Sequence, residues 1–260
     1  MCRDCACGEP AIEPPSESVA EPAAEFATQP AGATRTLPLH TPLLQRNDAQ
    51  AAALRQRFAA AGVRAVNLLS SPGSGKTALL EALARRLAQL GGDPDRLAVI
   101  VGDLATDNDA RRLQAAGLAA AAITTGQACH LEAAMVAEGL HRLHHQGVAL
   151  EQLQLLVIEN VGNLVCPGAY DLGESLRVVL VSTTEGEDKP LKYAPIFHGA
   201  DLVLITKIDL AAATGFDRAL AHRHLARVAP AAEVLEVSAR SGAGLEVLAA
   251  RLGLELRTAA

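Results

Sequence analysis

From residue 65 onward, short and almost continuous apolar runs alternate with longer stretches of helical periodicity. The apolar runs are Ala65–Ser70, Leu97–Gly102, Ala120–Thr124, Leu153–Asn160, Arg177–Thr183, Leu202–Thr206 and Glu233–Val237. Between them Thr77–Leu90, Asn108–Ala116, His130–His145, Asp217–Val228 and Leu245–Leu252 carry helical patterning, and an Ala-rich helix is expected over Asp48–Ala61. Strands that lack apolar/polar alternation are buried on both faces, so the pattern predicts an α/β fold: a mostly parallel sheet of about seven strands flanked by helices. Residues 8–45 are rich in Pro, Ala, Glu and Thr without apolar periodicity, and are expected to be a disordered linker. The expected organisation is a cysteine motif over 1–7, this linker, and a folded domain over 46–260. No internal repeat is present.

Composition narrows the class. Half of the 260 residues are hydrophobic, yet only 2% are aromatic and Trp is absent, so Ala, Leu and Val must build the core. A net charge of −6 offers no basic stripe to neutralise phosphates, which argues against a nucleic-acid partner. The N-terminus lacks an apolar signal-like segment, and no membrane span is expected. Five cysteines are an odd number, a poor basis for a disulfide framework, and the expected location is the cytoplasm.

The first predicted strand runs into Ser70-Ser71-Pro72-Gly73-Ser74-Gly75-Lys76-Thr77. Strand, Gly/Ser loop and helix start form a P-loop, in which backbone N–H groups of Gly73, Ser74, Gly75 and the first helical residues to Ala78 cradle phosphates. Lys76 would contact the β- and γ-phosphates, and the Thr77 hydroxyl would bind Mg²⁺. Ser70 stands where the motif usually has its first Gly. Leu202–Asp209 reads LVLITKID; Thr206, Lys207 and Asp209 are similar to the guanine-reading motif of GTPases, with Asp209 pairing to the base and Lys207 lying over it. Ser238 and Ala239 resemble the weaker motif that closes over guanine O6. The nucleotide is therefore expected to be GTP/GDP.

Asp103, at the end of the second strand, can reach the Mg²⁺ and γ-phosphate zone, as can Asp107 and Asp109, although helix capping is the plainer role for the last two. Glu159 and Gly162 form an E-x-x-G where many GTPases have D-x-x-G: Glu159 near Mg²⁺, the Gly162 N–H as γ-phosphate sensor. Water is the expected nucleophile, with Lys76 and backbone amides stabilising charge, and Asp103 orienting either water or Mg²⁺. No arginine finger is identifiable, so slow turnover is expected.

Cys2, Cys5 and Cys7 crowd the first seven residues, on a segment with nothing apolar to fold around, and suit a soft or borderline metal ion. Cys129 and His130 follow the third strand, at the expected start of a helix, and Cys166 follows Glu159–Gly162. Strand ends in an α/β sheet converge on one edge, so these three can form a site for Zn²⁺ or Ni²⁺ beside the nucleotide. Movement of Cys166 with the γ-phosphate would couple metal affinity to nucleotide state. His141 and His145 can share a helix face, but no acid or thiol accompanies them, and a solvated face is the plainer reading. His222 and His224 read as surface residues, and Tyr170–Gly173 carries no pattern that assigns it a role.

NLLSSPGSGKT (Asn67–Thr77), GDLATDNDARR (Gly102–Arg112), TGQACHLEAAM (Thr125–Met135), ENVGNLVCP (Glu159–Pro167) and TEGEDKPLKY (Thr184–Tyr193) together resemble the HypB family, the nickel-incorporation GTPases of NiFe-hydrogenase maturation. The resemblance implies the signal-recognition/MinD-like (SIMIBI) class of P-loop NTPase, a metal site of Cys129, His130 and Cys166, and a GTP-dependent homodimer in which Glu185–Tyr193 communicates with the partner subunit. It implies as partners the nickel chaperone HypA and the hydrogenase large-subunit precursor. The opening cysteines resemble a Cys-x-x-Cys-Gly-Cys nickel site, with Ala6 in place of Gly, and removal of Met1 would add the Cys2 amine as a fourth ligand. Two other readings are a urease-type nickel GTPase, against which Cys166-Pro167-Gly168 stands in place of the usual Cys-Pro-His, and a passive nickel or zinc buffer protein.

Overall fold

The computed structural model describes residues 40–254, and side-chain burial from residue 44. The expected metal motif of Cys2, Cys5 and Cys7, the linker as far as residue 39, and residues 255–260 lie outside the described residues.

Seven parallel strands form one sheet: β1 (Arg64–Ser70), β2 (Leu97–Asp103), β3 (Ala119–Thr124), β4 (Leu155–Glu159), β5 (Leu176–Ser182), β6 (Leu202–Thr206) and β7 (Glu233–Glu236). Their spatial order is β3-β2-β4-β1-β5-β6-β7. Each expected strand is present to within about two residues at its ends. The helices are α1 (His40–Ala61), α2 (Lys76–Gln89), α3 (Asn108–Ala115), α4 (Ala133–His145), α5 (Lys189–Lys192), α6 (Ala194–His198), α7 (Ala211–Thr214), α8 (Arg218–Val228) and α9 (Leu245–Arg251).

The two-faced burial inferred from the apolar runs is realised residue by residue. In β4, Leu155 and Val157 point to a core layer under α2, α3 and α9, whereas Leu156 and Ile158 point to the opposite layer under α1 and α4. Farther along that opposite face, Val179, Val181, Val203 and Ile205 pack with Ile196, Phe197 and Leu225 of α6 and α8. Alternation of direction along each strand makes this sorting automatic.

Two boundaries differ from expectation. α1 begins at His40, inside the stretch assigned to the linker, because Pro42 falls in its first turn, where a missing N–H is tolerated. α4 begins at Ala133, not at His130. The reason is long-range: Asn47 of α1 is buried and its Oδ1 accepts the Ala133 N–H at 2.9 Å, fixing the helix start from across the fold. Cys129 and His130 are thereby left in the bend before α4.

Register aligns the site. Glu159 lies opposite Leu68 of β1 and Val101 of β2, level with the C-terminal ends of both. At such an edge the loops of an open parallel sheet meet ligands.

Candidate functional site

The P-loop leaves β1 and enters α2 through two left-handed glycines, Gly73 (φ 75°) and Gly75 (φ 97°). A side chain at either would be strained, and Gly75 caps a helix of 14 residues whose free N–H groups form its positive end. Lys76 is buried, and its Nζ donates to Ser70 Oγ at 3.0 Å, so the serine at the usual glycine position anchors the lysine. Burial pulls the Lys76 ammonium below its ordinary value, against the attraction of Glu159 and other acids nearby. Ser74 Oγ donates to the Ser71 carbonyl at 3.0 Å, closing the loop on itself.

On one side of this loop lies a cleft of about 350 Å³ bounded by Lys76, Thr77, Asp103, Asp109, Arg112, Glu159 and Gly162. Thr77 Oγ1 donates to Glu159 Oε1 at 2.8 Å, while Glu159 Oε2 is buried without a partner. Burial pushes the Glu159 carboxyl up to about 7, even with Lys76 and Thr77 pulling it down. An orphaned carboxylate oxygen beside a hydroxyl is a costly arrangement unless a ligand completes it. The all-oxygen set of Thr77, Glu159 and Asp103 fits a small hard cation such as Mg²⁺. Asp103 Oδ1 accepts the N–H groups of Ala105 and Thr106 at 2.9 and 2.7 Å, which outweighs its partial burial and holds its carboxyl below the ordinary value. Asp107 and Asp109 instead pair with Arg111 and Arg112.

On the other side a second cleft, also about 350 Å³, is bounded by Ser74, Gly75, Ala78, Thr206, Lys207, Asp209 and Ala239. Lys207 is the one described non-glycine residue at positive φ (56°), and its Nζ donates to the Gly73 carbonyl at 2.7 Å, laying the aliphatic stem along the P-loop. Thr206 Oγ1 donates to the Ser74 carbonyl at 2.7 Å, and Ser238 Oγ donates to Asp209 Oδ1 at 2.6 Å. The two base-reading segments are thus tied to the phosphate loop and to each other.

Cys129, His130 and Cys166 bring their ligand atoms within 4.8 Å of one another. The Cys129 Sγ to His130 Nδ1 distance is 3.8 Å, and His130 Nε2 is buried without a partner. Burial lowers the His130 pKa despite Glu132 nearby, keeping the imidazole neutral and able to donate its lone pair. Hydrogen bonding to Cys166, then burial and the charge of that second sulfur, raise the Cys129 thiol. A cation would relieve both by taking the thiols as thiolates. Two sulfurs and one imidazole suit Ni²⁺ or Zn²⁺.

The two sites share a wall. Within Glu159–Cys166, Glu159 bonds to Thr77, and the buried Asn160 Oδ1 accepts the Leu131 N–H at 3.1 Å. Gly162 lies against Pro72 of the P-loop, where a Cβ would come within 3.1 Å of its Cα. Asn163 Nδ2 then donates to the Cys129 carbonyl at 3.2 Å, three residues before Cys166.

Comparison with known proteins assigns the lineage. Residues 64–236 match the family described as CobW/HypB/UreG, nucleotide-binding domain. The hydrogenase maturation factor HypB of Azotobacter vinelandii is 49% identical over 214 residues, covering 82% of this chain and 67% of its own. The chain belongs to the HypB family. Two solved HypB structures are similar: that of Helicobacter pylori in complex with nickel (TM-score 0.74, 40% identity, 80% of this chain and 93% of that one) and that of Archaeoglobus fulgidus (TM-score 0.71, 37% identity, 81% and 98%).

In this HypB-family chain the expected nucleotide residues Gly73, Ser74, Gly75, Lys76, Thr77, Ala78, Gly162, Thr206, Lys207, Asp209, Ser238 and Ala239 gather around one loop. Several contributors were not foreseen. Tyr170 stacks on His130, with ring centroids 3.8 Å apart and planes 25° from parallel. Its neighbour Asp171 pairs with Arg55 of α1, and Gly173 (φ 81°) approaches so closely that a Cβ would stand 2.7 Å from the Ala51 carbonyl oxygen. The Tyr170–Gly173 loop is therefore a clasp between α1 and the imidazole. Arg112 reaches the phosphate-side cleft, with Nε and Nη2 on Glu81 at 3.0 and 3.1 Å and Nη1 on Asp109 at 3.0 Å. His224 differs from the surface role expected of it: it is half-buried, 2.8 Å from the Glu187 carbonyl oxygen. Among the described residues no helix is long and apolar enough to cross a membrane.

Proposed function

We propose that this chain hydrolyses GTP and uses its nucleotide state to control a Ni²⁺ ion held by Cys129, His130 and Cys166, delivering it during NiFe-hydrogenase maturation. The supporting observation is the single segment Glu159–Cys166, which touches Thr77, the P-loop and Cys129 before supplying a thiol of its own. A passive metal buffer has no need of such a connection.

In hydrolysis, water attacks the γ-phosphorus as the bond to the β–γ bridging oxygen breaks, giving GDP and phosphate. Lys76 and the amides of Gly73–Ala78 stabilise charge on the phosphate oxygens, and Asp103 orients the attacking water or the cation. Bound to Thr77 and Glu159, Mg²⁺ would neutralise the β- and γ-phosphates. Asp209 reads the guanine N1 and N2 hydrogens, and Lys207 covers the base. When the γ-phosphate leaves, Gly162 loses its contact, and the strain passes through Asn163 to Cys129 and Cys166.

The remaining assignments rest on family likeness. The chain acts in the cytoplasm as a GTP-dependent homodimer, receives nickel from or passes it to HypA, and serves the hydrogenase large-subunit precursor. Val165, 69% exposed beside Cys166, offers an apolar contact for the second subunit. Glu185 joins Ser71 of the P-loop to Lys189, so the Glu185–Tyr193 segment is in touch with the nucleotide loop. Zn²⁺ is the competing occupant of the same ligands. Cys2, Cys5 and Cys7 hold a second ion on the tail.

The test is Ni²⁺ affinity of the full chain with GDP and with a non-hydrolysable GTP analogue. A ratio of about 5–150-fold between the two states is expected, the usual range for such coupling. Asn163→Ala is expected to collapse that ratio towards one while the three ligands remain. Equal affinity in both states of the wild-type protein would discard the proposal.

A further inference from the structure

Away from the thiol cluster, which precedes α4, two imidazoles meet near the C-terminal end of that helix. His141 and His145 are four residues apart and therefore on one face of the helix, both exposed to solvent. Their Nε2 atoms are 3.3 Å apart, with the rings nearly perpendicular at 86° and centroids separated by 4.4 Å. Two imidazole nitrogens this close either share a proton or share a cation. With metal–nitrogen bonds of about 2.0–2.1 Å, tetrahedral coordination sets the two nitrogens about 3.3–3.4 Å apart, and adjacent square-planar positions about 2.9 Å. The nitrogen spacing is near the tetrahedral value; aiming both lone pairs at one ion would open the ring centroids from 4.4 Å to about 5.2 Å, a small rotation for two exposed side chains.

The surroundings favour a cation. The pair sits in the last two turns of α4, where unpaired carbonyls give the helix its negative end. Arg142, the neighbouring positive charge, is taken up elsewhere, with Nε on Glu138 at 3.0 Å and Nη1 on the Ala122 carbonyl at 2.7 Å. His144 does not join: its ring centroid is 6.3 Å from that of His145, and it borders a separate groove with Leu140, Leu143 and Val148. At about 1.5 Å of rise per residue, the pair stands on the order of 15 Å along α4 from its first turn, too far to share an ion with Cys129 and His130.

The geometry points to a surface site for a divalent transition-metal ion at His141 and His145, with Zn²⁺ preferred by spacing and Ni²⁺ accepted. Two neutral imidazoles leave the other coordination positions to water or to a donor on an approaching protein. Such a site is weak, open and fast to exchange, unlike the half-buried thiol cluster. It stands independently of the nucleotide-coupled reading.

The test is equilibrium dialysis of the full chain, cysteines intact, against Zn²⁺ and separately Ni²⁺, with free metal raised past saturation of the thiol sites until wild-type binding reaches its plateau. H141Q/H145Q is expected to bind one equivalent fewer of at least one of the two ions than wild type, and H144Q the same number as wild type. Gln keeps helix propensity at two exposed positions, so folding is preserved. In ¹⁵N-imidazole spectra of the wild-type protein, two Nε2 signals are expected to move together on Zn²⁺ addition and to be missing from the double variant. Identical isotherms for wild type and H141Q/H145Q with both metals, or an equal loss in H144Q, would overturn the assignment.

Discussion

The nucleotide cleft and the thiol cluster lie side by side on one edge of one sheet, but they are built differently. Around the P-loop most polar side chains already have partners: Lys76 is tied to Ser70, Thr206 to Ser74, Lys207 to Gly73 and Ser238 to Asp209. The oxygen left over there, Glu159 Oε2, is buried without a partner. The cluster instead draws its ligands from loops after β3 and β4, keeps them half-buried, and leaves His130 Nε2 without a partner. A preorganised cleft supports a repeated reaction with little reorganisation, whereas a half-open cluster with few supporting bonds suits an ion that must arrive and leave.

Built so differently, the two sites can be damaged separately. Lys76→Ala removes the buried ammonium of the P-loop and is expected to lower the GTP turnover number by about 10²–10³-fold, as removal of a preorganised charge-stabilising donor does. Phosphate release under saturating GTP measures this. Metal stoichiometry at Cys129, His130 and Cys166 is expected to stay the same, since no ligand is touched. Turnover within a factor of a few of wild type would mean that the lysine is not central to the reaction, and loss of metal would mean that the sites are not separable.

The same contrast explains how much of the molecule was legible in its sequence. The seven strands were readable because burial on both faces leaves unbroken apolar runs, and the segments that gather around the P-loop because each motif is contiguous and abuts a strand end. Cys129, His130 and Cys166 were readable for a coarser reason, that parallel strands deliver their following loops to one edge. What escaped was made by distant parts of the chain. The start of α4 is set by Asn47, 86 residues earlier. Tyr170 gained its place by meeting His130 across the fold, and Arg112 by reaching a cleft whose walls come from three strand ends, those of β1, β2 and β4. No local pattern records such meetings.

Tyr170 offers a finer cut between the two sites. Its ring holds the His130 imidazole in place without donating to the ion, so Tyr170→Ala is expected to weaken Zn²⁺ or Ni²⁺ binding at the cluster by about 10-fold, the lower range for loss of an orienting neighbour. GTP turnover is expected to be unaffected, and Tyr170→Phe, which keeps the stack, is expected to restore affinity. Competition with a chromophoric chelator reads both. A Phe variant as weak as Ala would transfer the role from the ring to its hydroxyl.

The smallest expected effect lies one residue on. Burial would raise the Asp171 carboxyl, but Arg55 and the Gly173 N–H outweigh it and hold the carboxyl below its ordinary value. Because the folded value is depressed, the charged form is favoured by folding. Its stabilisation is fully present above the unfolded value of about 4 and is lost as pH falls through the folded value. Arg55 is 48% exposed and Asp171 35%, so solvent screens the pair and its worth is about 0.5–1 kcal/mol. Asp171→Asn is therefore expected to lower the melting temperature slightly at neutral pH, with the gap to wild type closing as the pH drops below about 4. Thermal melts at a series of pH values test the sign. A gap that widens in acid would show that Asp171 is protonated in the folded protein, and the clasp on α1 would then rest on Asn47, whose Nδ2 donates to the Asp171 carbonyl at 2.8 Å, and on the close approach of Gly173.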